Sequence, residues 1–127
     1  MDRQKTLNIV VNHLRAQGGK AVKPNQGARC VYRAPDGKKC AVGALIPDEH
    51  YAPYMDVGGG MHASALMTNY PCLASVLGVN EADKLFLDDM QSRLHDSSLS
   101  TGDFQTSLEE RVQRFADQYK LTVPEKV

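Results

Sequence analysis

Residues 28–51, ARCVYRAPDGKKCAVGALIPDEHY, contain two of the chain's three cysteines and four of its fifteen Lys and Arg residues. At the centre of this stretch, residues 34–37 (APDG) are typical of a type I turn. Pro35 presets the first turn dihedral, and Gly37 can take the left-handed conformation that a three-residue hairpin loop requires. We therefore predict a β-hairpin at about residues 29–42.

The register of this hairpin determines which side chains are buried. Ala34 lies opposite Lys38 in that register, and successive side chains of a strand point to opposite faces. Arg33 and Lys39 therefore share one face. The other face, which we predict to be buried, carries Cys30, Tyr32, Cys40 and Val42.

Helices are predicted on both sides of the hairpin. Before it, apolar residues at i, i+3, i+4 and i+7 indicate an amphipathic helix over Arg3–Gln17, and Gly18 ends that helix. After it, shorter helices are predicted over residues 61–69 and 72–77. Three consecutive glycines, residues 58–60, precede them and are expected to form a flexible loop.

Two longer helices are predicted in the C-terminal part. The first begins after an Asn80 cap, with acidic residues in its first turn. Asp89 and Arg93 are four residues apart on the inward side of this helix, so we expect them to pair. The last helix covers Phe104–Tyr119. The apolar arc predicted for the first of the two helices is Ala82, Leu85, Phe86, Met90 and Leu94.

The bulk properties limit the class of protein. A length of 127 residues suits one domain, residues 1–127. We predict the α+β class: a mostly helical domain with an N-terminal helix, one hairpin and two C-terminal helices. No apolar run approaches the roughly 18 residues of a membrane span, so no membrane partner is expected. Three cysteines without an export signal indicate reduced thiols in a cytoplasm.

The net charge of zero hides an uneven distribution. Residues 1–39 carry nine Lys or Arg against two acidic residues, and residues 40–127 carry six against thirteen. A basic cluster of this kind steers anionic partners towards a protein. Alternatively, the two halves neutralise each other within the fold. If the cluster is a binding surface, its residues are Lys20, Lys23, Arg29, Arg33, Lys38 and Lys39.

Catalytic and metal sites are weaker alternatives. Zinc sites use four Cys or His ligands in close pairs, whereas the Cys and His residues here lie about ten positions apart. A thiol enzyme would use Cys40 with His50 or His62 as its base. The hairpin register buries Cys40, however, and burial in apolar surroundings raises a thiol pKa. No cofactor motif is present, so no cofactor is expected.

Anion binding by the glycine run and nucleic-acid binding are two further alternatives. The glycine run matches no phosphate-binding motif, although backbone N–H groups before a helix can hold an anion. Nucleic-acid binding has the basic cluster in its favour. A second half that is acidic and an aromatic content of 6% count against it.

One pattern resembles a known family. It consists of a Cys-x-Tyr-Arg, a Gly-x-Lys-Cys-Ala-Val-Gly and a Leu-Ile-Pro-Asp-x-x-Tyr. This run is similar to a family of small, uncharacterised bacteriophage and prophage proteins. The resemblance implies a phage-type setting and assigns no activity and no catalytic residue. The residues that carry it are Cys30, Tyr32, Arg33, Gly37, Lys39, Cys40, Ala41, Val42, Gly43, Leu45, Ile46, Pro47, Asp48 and Tyr51.

These observations lead to a functional hypothesis. A small phage-type accessory protein without a catalytic constellation is expected to act by binding in the host cytoplasm. Its partner would be a host defence or regulatory protein, or a small anionic, nucleotide-like ligand. The alternatives are the thiol-dependent or metal-dependent enzyme and a structural or assembly protein of the virion.

Overall fold

Helices account for most of the chain. The computed structural model describes residues 1–19, 21–23, 29–59, 62–96 and 104–125. Three 3₁₀ segments, Gly43–Leu45, Asp48–His50 and Pro53–Gly59, connect the first helix and the short strands to the later helices. A π-helix, Gln91–Asp96, continues α4. The α-helices are α1 (Arg3–Gln17), α2 (Ala63–Asn69), α3 (Pro71–Leu77), α4 (Glu81–Met90) and α5 (Phe104–Tyr119).

The predicted hairpin is absent, and the α+β class is wrong. Within the described ranges, the sole sheet pairs two strands of two residues each, β1 (Val22–Lys23) and β2 (Arg29–Cys30). The predicted turn does form, because Gly37 has φ 92° and Arg33 makes one isolated antiparallel bridge with Lys39. No strand extends from that bridge towards residue 42. The fold is therefore mostly helical.

The burial of the turn region follows the prediction where its side chains are described. Tyr32, Cys40 and Val42 are all buried. The side chain of Cys30 lies outside the described part of the chain. Val31 and Ala41, which the hairpin register places on the opposite face, are buried as well, so burial does not alternate as it would in a half-exposed hairpin.

The predicted helix ends are confirmed where the sequence supplies a cap. Gly18 ends α1 in the left-handed conformation at φ 73°, as predicted, and Asp2, a cap that was not predicted, accepts the Lys5 N–H at its start. Asn80 caps α4 in a reciprocal capping box with Asp83. Pro71 begins α3, as its fixed φ allows. These are local effects, so they were visible in the sequence.

The core lies between α1, α4 and α5. Leu7, Val10, Val11 and Leu14 of α1 are fully buried, as the helical spacing predicted. Phe86 of α4 packs against Phe115 and Tyr119 of α5, with ring centroids 5.3 and 4.9 Å apart. Within the described residues, no helix combines the length and the apolar character needed to cross a bilayer.

The buried face of α4 differs from the predicted arc, because Ala82 and Leu85 of that arc are exposed and Leu87, which was not in it, is buried. Leu87 is fully buried and Leu85 is 73% exposed, although the predicted arc contained Leu85. Three consecutive apolar residues, 85–87, leave the rotation of this helix undetermined by periodicity alone. Asp83 resolves it, because its buried carboxylate accepts a hydrogen bond from Arg3 Nε at 3.1 Å on the side that also buries Leu87.

The expected pair between Asp89 and Arg93 is replaced by contacts with α5. Asp89 accepts a hydrogen bond from the Tyr119 hydroxyl, and Arg93 donates one to Gln118. The change from α-helix to π-helix at Gln91 alters the angular spacing, so residues four apart no longer align. The bond to Asp89, together with burial, raises the pKa of Tyr119 to about 12, with burial the larger cause.

Asp83 should make stability depend on pH in the acidic range. Burial alone would raise its pKa, but hydrogen bonds from the Asn80 backbone and from Arg3 lower it below the ordinary value of 3.8. A lowered carboxyl pKa stabilises the fold above the unfolded-state pKa, and this contribution is lost as pH falls through the folded-state pKa. Asp83→Asn should lower the unfolding free energy at pH 7 by roughly 2–4 kcal/mol.

Urea unfolding of the parent and of Asp83→Asn between about pH 7 and pH 3 checks this prediction. The difference between the two proteins should shrink as the pH falls below about 4. Glu110→Gln is the control, because Glu110 is exposed on α5. A difference that stays constant across this range would contradict the assigned role of Asp83.

Candidate functional site

A buried carboxylate organises the chain around the turn. Asp56 lies in the 3₁₀ segment Pro53–Gly59 and is 2% exposed. Its Oδ1 accepts the Tyr32 N–H at 2.7 Å, and its Oδ2 accepts the Arg33 N–H at 3.2 Å. The Tyr51 hydroxyl also donates to Oδ2, at 2.6 Å. Three donors from two separate segments therefore meet on one carboxylate.

Side chains of α1 hold the other side of the turn. Gln17 acts in both directions: its Oε1 accepts the Lys39 N–H at 2.7 Å, and its Nε2 donates to the Lys39 carbonyl at 2.8 Å. A ring nitrogen of His13 lies 3.2 Å from the same carbonyl. The Lys39 N–H and carbonyl face away from Arg33 in this register, so Gln17 holds the outer edge of the turn without competing for the bridge.

The chain crosses itself closely just after the turn. A Cβ placed on Gly43 would lie 2.1 Å from the Tyr32 carbonyl oxygen, so only glycine fits there. The Gly43 N–H donates to Cys40 Sγ at 3.2 Å. Cys40 is 1% exposed. Its thiol is a hydrogen-bond acceptor inside the loop, shielded from solvent.

Arg33 links the turn to the segment Asp48–His50. Its Nη2 donates to the Ile46 carbonyl at 3.1 Å and lies 2.8 Å from Asp48 Oδ1. The guanidinium stands over the Tyr51 ring, 4.4 Å from the centroid. Lys39 Nζ is 4.0 Å from the same Asp48 oxygen. One exposed carboxylate thus faces two cations.

The surroundings of Tyr51 in this cluster change the pKa of its hydroxyl. Burial raises the pKa of the Tyr51 hydroxyl, and its hydrogen bond to Asp56 raises that pKa further. Tyr51 therefore stays neutral as a donor across the physiological range. A neutral hydroxyl beside a carboxylate fills a structural role here, because it satisfies a buried acceptor.

The six predicted binding residues are only partly brought together. Arg33, Lys38 and Lys39 surround the turn, and the Lys38 ammonium lies 3.7 Å from the exposed Asp36 carboxylate. Lys20 and the side chains of Lys23 and Arg29 lie outside the described residues. Whether the six act as one surface remains a prediction.

A shallow depression lies between α1 and the turn. Its volume is about 400 Å³, and it opens broadly to solvent. The polar groups around it come from both elements. The residues that line it are His13, Ala16, Gln17, Asp36, Gly37 and Lys38.

The observed positions count against the catalytic alternatives. A nucleophile must be reached by its substrate, whereas Cys40 is enclosed and hydrogen-bonded. Of the proposed bases, His50 is half-buried and His62 is exposed. In the portion of the chain that the structure describes, no three Cys, His, Asp or Glu side chains come together as metal ligands. Gly58 and Gly59 belong to a 3₁₀ segment, and Gly60 lies outside the described ranges.

Sequence reasoning missed the residues that build this site, Asp56 and Gln17. The available signal for Asp56 was its place between Met55 and Val57, in a stretch without other charges. An acid in an apolar stretch is a candidate for burial with partners. Gln17 gave no signal, since a polar residue at the end of an amphipathic helix is ordinary.

Comparison of the chain with protein-family models, with curated proteins and with solved structures finds no match. The resemblance to small phage proteins therefore stays a prediction from the pattern in residues 30–51.

Asp56→Asn should strongly destabilise the fold. The amide keeps one acceptor but places N–H groups against donors, so at least one buried donor loses its partner. We expect the unfolding free energy to fall by about 3 kcal/mol, measured by urea denaturation. Glu49→Gln, at an exposed site, should change it by less than about 0.5 kcal/mol. A parent-like stability of Asp56→Asn would show that the three hydrogen bonds are dispensable.

The thiols should differ in reactivity. Cys72 is exposed and Cys40 is buried, and both are free. A disulfide reagent such as DTNB should label Cys72 rapidly in the native protein, and Cys72→Ser should remove that fast phase. Cys40 should react only on unfolding, which a Cys40→Ala variant identifies in the denatured sample. Fast native labelling lost on Cys40→Ala would instead support the thiol-enzyme alternative.

Proposed function

We propose that this chain is a non-catalytic binding protein that docks through the basic turn, residues 33–39, onto an acidic surface of a protein partner. The observation that carries the proposal is the anchoring of this turn from both sides. Asp56 holds the amides at one end, and Gln17 holds Lys39 at the other. A turn held in this way presents its cations with little ordering cost on binding.

The shape of the surface favours a protein partner over a small ligand. Small-molecule sites enclose roughly 70–90% of their ligand. The depression beside the turn is open, and Lys38 and Lys39 are 42% and 34% exposed. Charges displayed on an open surface steer association with another charged surface and make it salt-sensitive.

The phage-type resemblance suggests the setting. Its motif residues overlap the residues that build the anchored loop, among them Arg33, Gly43, Asp48 and Tyr51. A host defence or regulatory protein in the host cytoplasm is the partner that this setting favours. The acidic second half of the chain disfavours a nucleic acid, because it would repel the phosphate backbone.

Reversing the charge of Lys38 and Lys39 should weaken partner capture while the fold remains. Their side chains have solvent-exposed ion pairs only, so Lys38→Glu with Lys39→Glu should leave the melting temperature nearly unchanged. Arg33 is left intact because it donates to the Ile46 carbonyl and stacks on Tyr51. The partner isolated by a tagged pulldown should bind the double variant on the order of tenfold more weakly at low salt.

The matched control is Lys5→Glu with Lys120→Glu, which changes the net charge equally at two exposed sites. That variant should keep most of the parent's affinity. If the turn variant melts normally and binds with parent-like affinity and salt dependence, the turn is a solvated face and the proposal fails.

A further inference from the structure

Asp48 holds an unusual position for a residue in two ion pairs. Its side chain is 83% exposed, yet the same Oδ1 faces Arg33 Nη2 and Lys39 Nζ, at 2.8 and 4.0 Å. Asp48 begins a 3₁₀ segment of three residues and is not its cap. An ion pair so open to water contributes little to stability, so the carboxylate can leave without loss of the fold.

The Arg33 guanidinium has N–H donors that do not take part in this contact. Nη2 carries both of its bonds, to Asp48 and to the Ile46 carbonyl. Nε is buried and has no hydrogen-bond partner. In the described ranges no acceptor contacts Nη1. A guanidinium binds carboxylates best through two parallel N–H groups, whereas Asp48 reaches it through one nitrogen.

From this geometry we propose that Asp48 is an internal stand-in for a carboxylate of the partner. On docking, a Glu or Asp side chain of the partner replaces Asp48 between Arg33 and Lys39, and it engages Nη1 beside Nη2, because Nε is buried. This inference rests on the proposed function and adds its regulation, since Asp48 competes with the partner for one site. Stacking on Tyr51 holds the guanidinium in place during the exchange.

The test uses a fluorescein-labelled peptide of ten glutamates as the acidic probe, followed by anisotropy at low salt. Asp48→Asn removes the competing charge, so it should bind the peptide about fivefold more tightly than the parent. Glu49→Gln is the matched control, because it removes the same charge from the neighbouring exposed residue. We expect less than a twofold gain from it. Lys39→Gln should weaken binding.

The outcomes separate the two proposals. Equal gains from Asp48→Asn and Glu49→Gln would mean that Asp48 acts through net charge only, and the stand-in role would fail while the basic turn stands. Peptide binding that is absent, or indifferent to Lys38 and Lys39, would defeat the proposed function itself. Displacement of the peptide by inorganic phosphate beyond that by chloride of equal ionic strength would overturn the carboxylate as the ligand.

The chemical shift of the Arg33 Nε–H group, measured by nuclear magnetic resonance, distinguishes direct contact from an effect of net charge. The Arg33 Nε–H signal should shift on addition of the peptide to the parent. In Asp48→Asn without peptide the same signal should shift away from its parent position, because the guanidinium no longer faces a charged carboxylate. An Arg33 signal that is insensitive to the peptide would contradict direct contact.

Discussion

The turn and both segments that flank it depend on one buried carboxylate, that of Asp56. A charge placed in the interior is costly unless hydrogen bonds replace its lost hydration. From the described residues Asp56 accepts two hydrogen bonds from consecutive amides and one from Tyr51. Because the donors come from residues 32–33 and 51, the carboxylate fixes the start and the end of the loop at once. The path between them follows from this closure.

A competition for backbone donors explains why the hairpin does not form. In an antiparallel pair, Tyr32 and Cys40 would exchange two bonds. The Cys40 N–H donates to the Tyr32 carbonyl at 3.4 Å, whereas the Tyr32 N–H donates to Asp56 and is not available for the second bond. A charge-assisted bond to a carboxylate is stronger than a neutral one to a carbonyl. The turn was predicted correctly from local residues. The contact that prevents the hairpin comes from a residue 24 positions further along the chain.

Elsewhere too, features set by local contacts could be predicted from the sequence, and features set by long-range contacts could not. Helix α1, the caps at Gly18 and Asn80, and the φ of Gly37 depend on neighbours within a few residues, and they were predictable. The rotation of α4 was not, because Arg3 sets it from 80 residues away. Of the site, the sequence indicated Arg33 and Lys39, whereas the groups that orient them were found only in three dimensions.

The division of charge between the two halves now has a physical account. Arg3 pairs with Asp83, Arg15 with Glu109, and Arg33 with Asp48, and each pair joins the basic first part to the acidic remainder. Part of the asymmetry is therefore offset by contacts between the two parts of the chain. The turn differs from the other pairs: Lys38 faces only the exposed Asp36, and Lys39 shares Asp48 with Arg33 at longer range. The backbone that carries Arg33 and Lys39 is bonded to Asp56 and Gln17, so these partly compensated cations are held in place, as a binding surface requires.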